Sequence, residues 1–243
     1  MPAILEIKNV SKSFGGIKAL DDVSLSIDKG EFVFLTGASG AGKTTLIRTI
    51  LKELTPDSGE IVFDGEPLST LKRKHIPGHR RRIGVVFQDY KLLYERTIRE
   101  NIEVALAVAG VNRKEWNERV GAVLKLVGLE NRSEMFPAQL SGGELQRATI
   151  ARALVVNPTI ILADEPTGNL DWDTADTILD LLDKINKDGK TIVVATHHKL
   201  IVEKMKKREI SLDGGKLTDN NKKVKVKQKK AKPELKSKPE PEK

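Results

Sequence analysis

The chain has 243 residues, with 42 Lys and Arg against 34 Asp and Glu, no Cys and 39% hydrophobic residues. That apolar share supplies a packed core and excludes a fibrous or wholly disordered protein, and the length suits one large domain or one domain with an inserted lobe. The lack of Cys removes disulfides, thiolate metal sites and Cys nucleophiles, and four His leave little material for a zinc site.

The net charge of +8 is unevenly placed. Residues 222–243 hold 10 Lys and 3 Glu, so the remaining 221 residues are nearly neutral at +1. The tail carries three Pro and no aromatic residue, and is expected to be disordered. The opening MPAILEIKNV lacks the basic and apolar regions of a signal peptide, and no apolar run approaches the 18 residues of a membrane span. A reducing, cytosolic setting is expected.

In chain order, short apolar runs read as strands at Glu31–Thr36, Glu60–Phe63, Gly84–Phe87, Thr159–Ala163 and Thr191–Ala195. Several are apolar throughout, as in strands covered on both faces by helices. Helical spacing marks Lys43–Leu54, Thr97–Ala109, Arg113–Val127, Gly143–Val156 and Thr174–Ile185, the last entered through Asp171 or Asp173 as caps. From about residue 90 to 157 there is helix without an evident strand, which predicts a helical lobe inserted in an α/β sheet domain spanning residues 1–221.

The segment Gly37-Ala38-Ser39-Gly40-Ala41-Gly42-Lys43-Thr44, followed by Thr45, joins a predicted strand to a predicted helix. It has the form of a phosphate-binding loop: glycines let successive N–H groups face an anion, Lys43 adds mobile positive charge, and Thr44 offers a hydroxyl to Mg²⁺. A nucleoside triphosphate site follows. The strand Thr159–Ala163 runs into Asp164 and Glu165. Asp164 at the strand edge suits a hydrated Mg²⁺ opposite Thr44, and Glu165 suits a base that takes a proton from attacking water. Read alone, such carboxylates also serve as turn or cap residues. Ser141-Gly142-Gly143 opens another helix with exposed N–H groups, a second anion site or a plain N-cap.

Taken together the three motifs resemble ATP-binding cassette (ABC) ATPases, over nearly all of residues 3–217. The resemblance implies a P-loop fold with a mainly parallel core sheet, an antiparallel β part and the inserted helical lobe. It implies that Phe14 stacks on adenine, that Gln88 senses Mg²⁺ and couples to a partner, that Asp171 belongs to the loop at the dimer seam, and that His197 contacts the γ-phosphate. Bland alternatives stand beside these: strand packing for Phe14, a solvated strand end for Gln88, an N-cap for Asp171, a core histidine for His197. The family commonly carries Asp where this chain has His198. Its signature Ser and Gly cover the nucleotide of a second copy, which implies a homodimer closed by ATP and opened by hydrolysis.

The stretches FQDYKLLYERTIRENIEVALAVAG, MFPAQLSGGELQR and LADEPTGNLD look like the cell-division branch of the family, chiefly through Asp89 and Tyr90 after Gln88. That resemblance implies an FtsX-like integral membrane partner, regulation of cell-wall hydrolases, and a peripheral place on the cytoplasmic face of the membrane. The alternative is the ATPase of a lipoprotein-release or macrolide-export transporter. Tyr90, Leu92, Leu93 and Tyr94 are expected to form an exposed apolar loop near the partner's seat, the alternative being that they pack only within the helical lobe. The Lys-rich tail suits an anionic membrane surface, or no role; without an aromatic platform, specific nucleic-acid binding is not expected.

Overall fold

The computed structural model describes residues 2–221. The predicted disordered tail lies outside the described residues. The chain begins with two long antiparallel strands, β1 (Ala3–Phe14) and β2 (Ile17–Asp28), then enters β3 (Phe32–Thr36) and α1 (Lys43–Ile50). β4 (Ser58–Phe63) and β5 (Glu66–Pro67) join the first pair in an antiparallel sheet of order β2-β1-β4-β5. The short α2 (Ile76–Arg81) leads into β6 (Ile83–Phe87). Three helices follow without a strand between them: α3 (Ile98–Ala109), α4 (Arg113–Val127) and α5 (Gly142–Leu154). The chain returns through β7 (Ile160–Asp164), α6 (Trp172–Lys187), β8 (Thr191–Thr196), α7 (Lys199–Met205), β9 (Arg208–Asp213) and β10 (Lys216–Asn221).

The six-stranded sheet has the order β10-β9-β3-β8-β7-β6, parallel except for β10. Its central strands are apolar throughout because alternate side chains enter different cores. Phe34, Ile161, Ala163, Ile192 and Val194 pack with the helices α3 to α6. Val33, Leu35, Ile160, Leu162, Val193 and Ala195 pack on the other face with α1 and the antiparallel sheet. Fixed from both sides, these strands hold their ends in register: Thr36 pairs with Thr196, Asp164 with Ala195, and Phe87 with Asp164. The carboxyl ends of β3, β6, β7 and β8 therefore face one crevice, the place where open α/β sheets bind ligands. No helix among the described residues is long and apolar enough to cross a membrane.

Candidate active site

The segment after β3 turns tightly into α1. Gly42 sits at the helix N-cap with φ 107°, and a Cβ there would stand 2.4 Å from the carbonyl oxygen of Ala19. Only glycine fits. Because that cap has no side chain and the first turn has no acidic residue, the first N–H groups of α1 are left for an external anion. Lys43 is buried, and its Nζ donates to the carbonyls of Gly37 (2.7 Å) and Ala38 (3.1 Å). An ammonium held by neutral carbonyls inside a cleft keeps most of its charge for a phosphate.

At the end of β7 the Thr44 hydroxyl donates to Asp164 Oδ2 at 2.8 Å. Burial pushes the Asp164 carboxyl above its ordinary range, offset in part by the Thr44 bond, and Glu165 adds to the rise. A cation beside it would restore the ionised form. Hydroxyl and carboxylate oxygens are the donors that Mg²⁺ prefers, so this pair fits the ion.

Glu165 adopts the left-handed backbone, φ 49°, rare outside glycine. Its N–H donates to the Ala195 carbonyl at 2.9 Å, and its own carbonyl accepts from Gly168 N–H at 3.1 Å. The turn swings its carboxylate toward the end of β8, where His197 Nδ1 lies 2.9 Å from Oε1. A carboxylate oxygen accepts only, so Nδ1 carries the proton in this pair. Lys43 Nζ is 3.7 Å from the same oxygen. The second oxygen, Oε2, is buried and has no hydrogen-bond partner among the described residues. An acceptor so left in a polar cleft is suited to a bound water or to the proton of one.

Residues 39–45, Gln88, Asp164, Glu165 and His197 line one cleft of about 690 Å³. Gln88 is fixed there by reciprocal bonds with Asn169, Nε2 to Oδ1 and Asn169 Nδ2 to the Gln88 carbonyl, both 3.2 Å. The remaining predicted residues lie outside this lining. Gly37 and Ala38 face it only through Lys43. Phe14 stands at the end of β1, 47% exposed, with Lys12 Nζ 5.8 Å from its ring. Asp171 caps α6, its Oδ1 accepting from Thr174 N–H at 3.0 Å. Ser141 caps α5 in a reciprocal box with Glu144, and the Ser141 hydroxyl also donates to Glu144 Oε2 at 2.9 Å. Gly143 lets α5 approach α6, since a Cβ there would be 2.5 Å from Thr174 Cγ2.

Four residues in or near the cleft and its flanking loops carry no signal of their role in the sequence. Asn169 carries no charge or spacing signal beyond its place next to Gly168. Asn101, wholly buried in α3, accepts from Leu93 N–H at 2.7 Å and donates to the carbonyls of Leu93, Arg96 and Thr97. Arg152 of α5 donates to the carbonyls of Tyr90 and Lys91, both in left-handed backbone just after Gln88. Trp172 lies edge-on to His198, ring centroids 6.0 Å apart. The expectation of an exposed apolar loop is corrected in part: Leu93 and Tyr94 are exposed, but Leu92 is buried in the helical core and Tyr90 packs against it.

A phosphate loop, a strand-end Asp-Glu pair, a histidine just past the end of the neighbouring strand and a serine-glycine helix start together define an ATP-binding cassette. The family model described as ABC transporter matches residues 20–168, and the chain belongs to that family of ATP-hydrolysing proteins. It is 49% identical to the cell division ATP-binding protein FtsE of Bacillus subtilis (strain 168), over 87% of this chain and 93% of that one. It is 47% identical to the FtsE of Streptococcus pneumoniae serotype 2, over 88% and 94%. Among solved structures it is similar to the dimeric bacterial ABC transporter cassette MJ0796, with TM-score 0.80 and 40% identity over 89% of this chain and 97% of that one. The same cassette was solved as a dimer in a post-hydrolysis state bound to ADP and Pi.

Proposed function

We propose that the chain is the ATP-hydrolysing subunit of a bacterial cell-division complex, acting as a homodimer on an FtsX-like membrane partner at the cytoplasmic face of the membrane. The transporter alternative is not favoured, since the relatives at 42–49% identity over most of the chain are cell-division proteins. Residues 1–221 form the ATPase domain, with residues 90–157 as its helical lobe. The observation that carries the hydrolytic reading is the Glu165 carboxylate, paired with His197 through one oxygen and unpartnered at the other, inside the cleft of the phosphate loop.

In this reading the backbone of residues 37–45 and Lys43 hold the triphosphate. Thr44, Asp164 and Gln88 would hold Mg²⁺, which when bound offsets phosphate charge. Water attacks the γ-phosphorus, the bond to the bridging β–γ oxygen breaks, and Glu165 takes the water's proton, giving ADP and phosphate. His197, oriented through Nδ1 by Glu165, steadies the γ-phosphate. Phe14 is free to stack on adenine. Ser141, Gly142 and Gly143 lie off their own chain's cleft at the start of α5, with Ser141 exposed, so a second copy would bring them over its neighbour's triphosphate, with Asp171 at the seam. The partner's seat is an apolar groove of about 420 Å³ between α3 and β6, lined by Val85, Val104 and Val108. Val104 and Val108 are exposed there, as expected of a groove that takes a short helix. The Lys-rich segment 222–243 would add salt-sensitive attraction to anionic lipid.

Glu165→Gln keeps the side-chain shape and removes the base. Hydrolysis should fall by about 10²–10⁴ while ATP binding persists and dimer accumulates on gel filtration. A Gln variant that turns over at the parent rate would overturn the assignment of the base. For the partner, Val108→Asp should reduce copurification of the membrane protein and spare basal ATPase activity; equal loss of both would place the groove in the fold only.

A further inference from the structure

Few as the histidines are, two are consecutive at the end of β8, and the turn at Glu165 places a carboxylate beside them. We propose that Glu165, His197 and His198 form a site for a divalent transition-metal ion of the Zn²⁺ class, and that its occupancy arrests ATP hydrolysis.

One ligand atom from each of the three lies within 4.8 Å of the others. His197 Nδ1 is already 2.9 Å from Glu165 Oε1, and the two imidazoles have centroids 4.2 Å apart, inclined at 32°. Around Zn²⁺ at bond lengths of about 2.0–2.2 Å, neighbouring ligand atoms stand about 3–4 Å apart. The cluster must therefore close by roughly 1 Å. His198 supplies that freedom: its side chain makes no hydrogen bond among the described residues and caps nothing on α7. Its described contacts beyond its own backbone are the ring of His197 and the edge of Trp172. The His197 pair has only to exchange a proton for the ion.

The donor set selects the ion. Two imidazole nitrogens and one carboxylate oxygen suit Zn²⁺, Co²⁺ or Ni²⁺, whereas Mg²⁺ prefers oxygen and keeps its waters. Lys43 Nζ, 3.7 Å from Glu165 Oε1, opposes any cation held there by charge alone. Retention thus depends on nitrogen coordination, which only the histidines offer. Three protein ligands leave a position for water or a phosphate oxygen.

The arrest itself rests on the roles given above to Glu165 and His197. A carboxylate bound to the ion through Oε1 is a far weaker base at Oε2 for the proton of the attacking water, and a coordinated imidazole is not free to follow the γ-phosphate. His198 takes no part in that chemistry, so it separates metal binding from turnover.

The test uses the full chain and His198→Asn. Without nucleotide, calorimetric titration with Zn²⁺ should show one ion per parent chain and an affinity lower by tenfold or more in the variant, since even an outer partner of a metal ligand carries about 10–100-fold. Excess Mg²⁺ should leave the parent titration unchanged. Steady-state hydrolysis of Mg-ATP, with Zn²⁺ set by a chelator buffer, should fall with occupancy in the parent and persist in the variant at the same free Zn²⁺. Basal rates without Zn²⁺ should agree. Equal Zn²⁺ affinity in the two proteins, or displacement by Mg²⁺, overturns the site; binding without differential inhibition overturns the arrest. If neither protein hydrolyses ATP, the functional reading fails while the nucleotide-free titration still decides the site.

Discussion

Glu144 is the residue on which the start of α5 depends, and its replacement by Gln isolates charge from shape. Its Oε2 accepts from the Ser141 N–H and from the Ser141 hydroxyl, both at 2.9 Å, and its Oε1 accepts from Arg132 Nε at 3.0 Å. The Ser141 N–H first, then Arg132 and the hydroxyl, hold the carboxyl at about 2, against 4.5 ordinarily. At about 1.4 kcal/mol per pH unit, that shift sets a ceiling of about 3 kcal/mol. The Arg132 side chain is 45% exposed, so its share is screened, and the expected net contribution is about 1–2 kcal/mol. Because the folded value is depressed, the stabilisation is full above pH 4.5 and is lost as pH falls toward 2. Glutamine still accepts from the Ser141 N–H but carries no charge. Urea unfolding at pH 7 should show Glu144→Gln less stable by about 1–2 kcal/mol, and the gap should narrow only below about pH 4.5. A variant equal to the parent at pH 7, or a gap constant down to pH 3.5, would refute the reasoning.

Two further changes probe the scaffold of the site. Gly42→Ala forces a methyl group onto the Ala19 carbonyl and a non-glycine residue into φ 107°; it should cost about 1–3 kcal/mol and weaken ATP binding, read by thermal unfolding with and without nucleotide. Asn101→Asp keeps the volume but replaces an NH2, whose two N–H groups serve three carbonyls, with an acceptor facing them, so it should destabilise by about 2–3 kcal/mol or more and do so at least as strongly as Asn101→Ala; an Asp variant as stable as the parent in chemical unfolding would discount those bonds.

The strands β3, β6, β7 and β8 are legible because burial on both faces leaves them no polar positions except at their ends, and the same ends carry most of the site. β1 and β2 escape the same reading. Their pattern is broken by irregular pairing between Ile7 and Val10 and again near Lys12, so no clean alternation survives. The hairpin of β9 and β10 leaves a turn signal at Gly214 and Gly215, yet its apolar positions are too few to stand out. Helix ends lie within a few residues of where the spacing puts them; α1 stops at Ile50 rather than Leu54 because Lys52 turns left-handed at φ 56°. Within the site, residues that act through charge or a glycine are visible in the chain. Residues that act by satisfying backbone carbonyls, such as Asn101 and Arg152, become visible only when the distant carbonyls are brought to them.

The two bonds from Arg152 to the carbonyls of Tyr90 and Lys91 tie the end of the signature helix to the loop that begins at Gln88. Arg152 also lines the apolar groove between α3 and β6. A rotation of α5 therefore drags Tyr90 and Lys91 with it, and the chain must flex at the short span between Phe87 and Tyr90. Gln88 sits on that span, so a turn of α5 would reach the cleft lined by the phosphate loop through a single residue.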